Sequence, residues 1–194
     1  MNCVTDIMPV QKITKEEIVR IAIEVFRKQG YNRTSMNDLA QACGLQKGSF
    51  YHYFNSKEAL MREVLDTLHQ YYKRKIFSIA FDDAFTPKAR MEHFFKKQEP
   101  IFTQDLTGCL FGNITLETIS MVDEFKATIQ AFFSDWIEAF QHIFLADGCS
   151  DEKAIQLARQ SVMEIEGALM MMRVFEDIDL LRDTCSTVLL KLKH

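Results

Sequence analysis

A chain of 194 residues with 47% hydrophobic and 26% charged positions has room for one or two globular domains, and its composition excludes collagen-like and low-complexity chains. Seven Gly and three Pro leave little material for sandwiches, barrels or long linkers. The net charge of −4 hides a split: residues 1–75 hold 12 Lys+Arg against 8 Asp+Glu, and residues 76–194 hold 11 against 19. A basic head on an acidic body points to a polyanion that only the head meets.

No apolar run approaches the roughly 18–20 residues that cross a bilayer. The opening MNCVTDIMPVQK lacks the basic start and apolar stretch of a secretory signal. A cytoplasmic chain without a membrane partner is therefore expected. The five cysteines, at 3, 43, 109, 149 and 185, are odd in number and show no ligand spacing. Reduced thiols are expected, with a redox-sensing one as the alternative, and neither metal nor cofactor is implied.

The sequence reads as all-α. Thr14-Lys15-Glu16-Glu17 is a capping box, with Ile13 and Ile18 placed as a hydrophobic staple. Ile18, Ile21, Ala22 and Val25 then form an apolar face, and Gly30 ends the first helix. A short second helix is predicted over Met36–Ala42 with Ser35 as its cap, then a tight turn at Cys43-Gly44-Leu45. The third helix is predicted over Lys47–Phe54. Asn55 and Glu58 have the spacing to cap a long fourth helix that reaches about Ile79. Thr86-Pro87 starts another helix, which Pro100 should kink or end. Helices are predicted over Asp123–Leu145, from Ser150 to about Asp177, and from Asp179 nearly to the end; residues 80–87 and 105–113 read as loops.

The second and third helices carry the chemistry. Two helices joined by a three-residue turn containing Gly form a helix-turn-helix, here about residues 35–54, whose second helix enters the DNA major groove. At 100° per residue, Phe50 and Phe54 share one side of the third helix and should lock it, with Leu45, onto the first two. Gly48 and His52 fall on the other side, flanked by Ser49 and Tyr51. A helical Gly costs about 1 kcal/mol relative to Ala, which makes sense where a backbone must approach another molecule closely.

Ser35-Met-Asn-Asp-Leu-Ala-Gln-Ala-Cys-Gly-Leu-Gln-Lys-Gly-Ser-Phe-Tyr-His-Tyr-Phe-Asn-Ser-Lys-Glu-Ala-Leu60 resembles the DNA-binding signature of the TetR/AcrR family of transcriptional regulators. Thr34, Leu39, Ala40, Gly44, Lys47, Gly48, Tyr51, Phe54, Lys57 and Leu60 occupy motif positions. The resemblance implies an operator-binding head over residues 12–72 and a helical ligand-binding and dimerisation body over 73–194. It implies that Thr34 and Ser35 bond phosphate through hydroxyls and helix N-terminal amides. Tyr51 and Lys57 are implied as further phosphate contacts. Gln46, Lys47, Ser49 and His52 are the candidates for base readout, with Gly48 allowing close approach. Many family members have Ser where this chain has Gln46, and Gln caps poorly. Either the recognition helix starts less firmly or the amide contributes to operator choice.

A single helix-turn-helix makes few contacts, so a homodimer on two half-sites is expected. Ile155, Val162 and Leu169 recur at seven-residue spacing with Ala158, Ile165 and Met172 interleaved, as in an a/d seam. The last helix aligns Leu181, Cys185, Val188 and Leu192. These stripes are either the dimer interface or intrachain core. Phe94, Phe102, Phe111, Met121, Phe125, Phe133, Trp136 and Met171 are candidate walls for a pocket holding an unidentified small-molecule inducer, or else ordinary core. Glu117, Glu164 and Glu166 hint at a cationic ligand or are simply solvated. The resulting expectation is a dimeric repressor released from a palindromic operator by an inducer. An activator or a non-DNA-binding adaptor of the same fold, and an enzyme in the body, are the alternatives. No catalytic arrangement is visible for the last.

Overall fold

The structure is a computed structural model that describes residues 13–119 and 123–193. Helices α1 (Lys15–Gln29), α2 (Met36–Ala42), α3 (Lys47–Tyr51), α4 (Lys57–Lys75), α5 (Pro87–Thr103), α6 (Leu110–Thr118), α7 (Asp123–Ala146), α8 (Asp151–Phe175) and α9 (Asp179–Leu189) follow in chain order, with no strand among the described residues.

Local chemistry sets most helix starts. The Thr14 hydroxyl accepts from the Glu17 amide at 3.1 Å, and the Glu17 carboxylate accepts from the Thr14 amide at 2.8 Å. Ser35 and Asp38 repeat the box at α2, where the Ser35 amide and hydroxyl hold the Asp38 carboxyl below its usual range. Ser56, not Asn55, caps α4 by accepting from the Ala59 amide. The buried face of α1 is Ile18, Val19, Ala22 and Phe26; Ile21 and Val25 are only half-buried, so the face lies to one side of the predicted stripe. Helix α3 is shorter than predicted: a turn replaces its end at His52 and Tyr53, while Phe50 and Phe54 still point inward.

The α4 helix is the spine. Leu60, Met61, Val64 and Leu65 are buried along it, it packs on α1 of the head, and its His69 and Tyr72 pack against Phe132 of the body. It ends at Lys75, and a 3-10 turn over Phe77–Phe81 carries on. The buried Arg90 side chain then holds the following loop, donating to the carbonyls of Phe85 and Ala80 and pairing with Asp83 at 2.8 Å. Pro100 neither ends nor interrupts α5, which runs on to Thr103.

The α7 helix runs through the middle of the body. Its Phe132, Trp136 and Phe140 pack against Phe77, Phe94, Phe102 and Phe111, with the Phe111 and Phe132 rings stacked at 3.7 Å. Each buried aromatic contributes about 2–3 kcal/mol relative to exposure. One hydrophobic core runs from Ile18 in α1 to Val188 in α9.

The predicted seam on the last two helices is corrected. Ala158, Val162, Ile165, Leu169, Met172, Leu181 and Val188 are buried inside the single chain. Cys185 and Leu192 pack against the same core, and Ile155 is half-buried at its edge. Seven-residue periodicity marks an apolar face but does not say which helix meets it; here α7 does.

Candidate functional site

The α2–α3 corner turns on Gly44, whose φ of +66° suits a residue without Cβ. Phe50 and Phe54 anchor α3 from below, their ring centroids 6.5 Å apart. The Tyr53 hydroxyl donates to the Ile13 carbonyl at 3.0 Å and ties the end of this unit to the chain entering α1. Gln46, Lys47, Gly48, Ser49, Tyr51 and His52 are left exposed together. Gln46 gives no side-chain cap. A Cβ on Gly48 would meet nothing within 4 Å, so nothing inside the protein requires glycine there.

Two predicted phosphate contacts have other partners in the structure. Thr34 is buried, and its hydroxyl donates to the Gly30 carbonyl at 2.6 Å. It shapes the α1–α2 loop and has no free hydroxyl face. The Lys57 ammonium donates to the carbonyls of Tyr31 and Thr34 at 2.8 and 3.0 Å and sits 4.1 Å from the Tyr31 ring centroid. It fastens that loop to α4, with one N–H left over. Ser35 is exposed, but its hydroxyl is engaged with Asp38. Tyr31, missed in the sequence, completes the assembly by donating to Glu58 at 2.9 Å; burial raises its pKa well above the usual phenol range.

The head rests on the body through α6 and the turn before it; residues 105–113 of this stretch are predicted as loop, and the helix begins inside them at Leu110. The Glu117 carboxylate accepts from the Asn32 amide at 2.8 Å. It fills the space beside Gly30, where a Cβ would lie 2.7 Å from a Glu117 oxygen. Lys28 pairs with Asp105 at 3.1 Å, and Arg27 donates to the Ile101 carbonyl.

One side of α6, from Gly112 to Leu116, walls a cavity of about 680 Å³ against α8, lined by Cys109, Gly112, Phe133, Glu166, Leu169 and Met170 among others. Of the predicted pocket residues, Phe133 lines this cavity. Phe102 lines a smaller one of about 240 Å³ between α5 and α9. Phe94, Phe111, Phe125 and Trp136 are packed core, with neighbouring side chains filling the space a ligand needs. Met171 faces outward on α8, and Met121 lies outside the described residues. Composition identified aromatic positions, but glycines at 108, 112 and 167 line the cavity; Gly167 is readable from the sequence only as a small residue permitting close helix approach, and Gly108 and Gly112 carry no signal.

A family profile described as "Bacterial regulatory proteins, tetR family" matches residues 18–64. A second, "Transcriptional regulator LmrA/YxaF-like, C-terminal domain", matches residues 87–186. The chain belongs to the TetR family. This TetR-family protein is a DNA-binding transcriptional regulator. It is 32% identical over 127 residues to the HTH-type transcriptional repressor DhaR of Mycobacterium sp. (strain GP1), a stretch that is 66% of this chain and 63% of DhaR. It is 28% identical over 161 residues to the uncharacterized HTH-type transcriptional regulator YxaF of Bacillus subtilis, 81% of this chain and 84% of that one. A TetR transcriptional regulator from Legionella pneumophila shares the fold, with a TM-score of 0.86 at 24% identity over 95% of this chain and 100% of that one. Among the described residues, no helix of this TetR protein is long and apolar enough to cross a membrane.

Proposed function

We propose that the chain works as a homodimeric, cytoplasmic repressor. Two heads read adjacent major grooves of a palindromic operator, and a small molecule in the body releases them. One observation carries the DNA-reading part: the exposed row Gln46, Lys47, Gly48, Ser49, Tyr51 and His52 stands on a helix whose opposite side is anchored by Phe50 and Phe54. Lys47, Gln46, Ser49 and His52 read bases, Tyr51 binds phosphate, and Ser35 and the spare N–H of Lys57 are secondary phosphate contacts. The repressor character of DhaR supports the sign of regulation. No catalytic role is assigned. The division at residues 72 and 73 is functional, since one core spans both parts.

The exposed face of α8 is the proposed dimer surface, and its Met170 and Val174 also line the larger cavity. Met163, Met170, Met171, Val174 and Phe175 are exposed there, with Leu190 beyond α9. An apolar patch of this kind marks an association surface on a water-soluble protein. The release path runs through α6, whose first turns wall the larger cavity and whose Glu117 holds the head at Asn32 and Gly30. A ligand that distinguishes two positions of α6 shifts the heads; a coupling of about 1–3 kcal/mol weakens operator binding roughly 5- to 150-fold.

The test is selection of bound sequences from random duplexes, using the full chain. Enriched palindromes with half-sites about one helical turn apart are expected, and Tyr51→Ala should lose them while keeping its helical spectrum. No enrichment above background would refute the DNA-reading assignment.

A further inference from the structure

The α6–α8 cavity holds a polar fixture that its own chain leaves incomplete. Glu166 projects from α8 toward α6, and Gly112 makes room for it: a Cβ on Gly112 would lie 2.5 Å from a Glu166 oxygen. The other oxygen, Oε1, is buried without a hydrogen-bond partner. Every group around it fails to neutralise it. The Cys109 thiol lies beside the carboxyl, but burial and the acid itself push that thiol far up, so it stays protonated and unreactive. Tyr72 is a buried phenol within range of the Glu166 charge, and burial raises it too, so it stays protonated. Arg173 lines the same cavity but is exposed, with its guanidinium given to Asn113 at 2.7 Å. No cation offsets the burial, which lifts the Glu166 carboxyl to about 7.

A carboxylate oxygen buried without a partner, on an acid whose one neighbouring donor is a weak thiol, is costly, and a ligand that brings the missing donor recovers that cost on binding. The remaining walls are apolar, with Phe133, Leu169 and Met170 beside Gly108 and Gly167. We propose that this cavity binds an amphipathic amine, its cationic nitrogen on the Glu166 carboxylate and its apolar body along Phe133, Leu169 and Met170. The solvated guanidinium at the rim leaves the buried acid to set the charge preference. This rests on the reading of the body as a ligand-responsive module and names the ligand class for it.

The test compares three probes of one shape by calorimetric titration of the full chain without DNA: 4-phenylbutylamine, 4-phenylbutanol and 4-phenylbutyrate. The amine should bind at least tenfold more tightly than the alcohol or the acid. Glu166→Gln should erase that preference and leave alcohol binding unchanged. Gly167→Leu, at a position with open space beside it, should block all three, with thermal melts checking that both variants fold. Equal binding of amine and alcohol, an amine preference that survives Glu166→Gln, or no amine binding at millimolar concentration would each overturn the proposal. An amine that binds with the expected preference yet leaves operator affinity unchanged supports this site and refutes ligand-driven release instead.

Discussion

Gly30→Ala tests the seat of the head most directly. Gly30 has φ +80° and ψ 168°, a region closed to side chains. Placing Ala there costs about 1–3 kcal/mol in backbone strain alone. The new Cβ would also lie 2.7 Å from a Glu117 oxygen, so the carboxylate must move. Its bond to the Asn32 amide is then strained or lost. A hydrogen bond to a charged group is worth about 1.5–3 kcal/mol when buried, and roughly 1 kcal/mol is reasonable for a half-buried carboxylate. Gly30→Ala should therefore destabilise by about 2–4 kcal/mol in urea unfolding, and Glu117→Ala by about 1 kcal/mol. In the Glu117→Ala background the glycine substitution should cost only its backbone part, leaving a coupling near 1 kcal/mol. Operator affinity should fall in both single variants. Identical costs of Gly30→Ala in the two backgrounds would show that the carboxylate does not hold the head.

Gly48→Ala should leave thermal stability unchanged or raise it by up to about 1 kcal/mol, while gel shifts show at least a tenfold loss of operator affinity; undiminished binding would place DNA elsewhere. Lys57→Met should lower the melting temperature by roughly 2–4 °C for each kcal/mol lost with its two carbonyl contacts, and an unchanged calorimetric scan would contradict the fastening role. Glu166 is raised from 4.5 to about 7, so the folded state holds its proton longer than the unfolded one. Its contribution to stability is thus fully kept below pH 4.5 and declines as the pH climbs to 7. Against wild type, Glu166→Gln should gain up to about 3 kcal/mol above pH 8, and parallel urea midpoints at all pH values would refute this. Met163→Glu with Met171→Glu, both outside the lining of the larger cavity, should give a folded monomer by sedimentation, whereas a persistent dimer would move the association surface off α8.

What the sequence made legible was local. Thr14, Ser35, Thr86 and Ser150 cap helices because a hydroxyl reaches an amide three residues on. Phe50 and Phe54 were readable from a four-residue spacing. Helix α6 was not: its cap is the Cys109 thiol, and Gly112 lies in its first turn, so it carries weak start signals. Pro100 does not end α5, because a proline inside a helix removes only one backbone bond and the helix runs three residues further to Thr103. The α8 stripe is legible as an apolar face, but its spacing leaves dimer interface and intrachain core open, and burial within the chain decides for core. The Glu117–Asn32 contact joins residues 85 apart, and such pairings leave no periodic trace. Lys57 matched its motif position, yet carbonyls that converge only after folding hold most of its donors.

The unbroken core through α4 bears on any attempt to transplant recognition specificity. A graft that exchanges only residues 12–72 severs the donor head from the Ile101 carbonyl, Asp105 and Glu117, on which this one sits. Such a chimera inherits the donor's base preference on a mismatched pedestal, and under the proposed release path its head and cavity are uncoupled before any ligand is added. Retargeting by exchanging the exposed side chains of α3 alone leaves the pedestal intact.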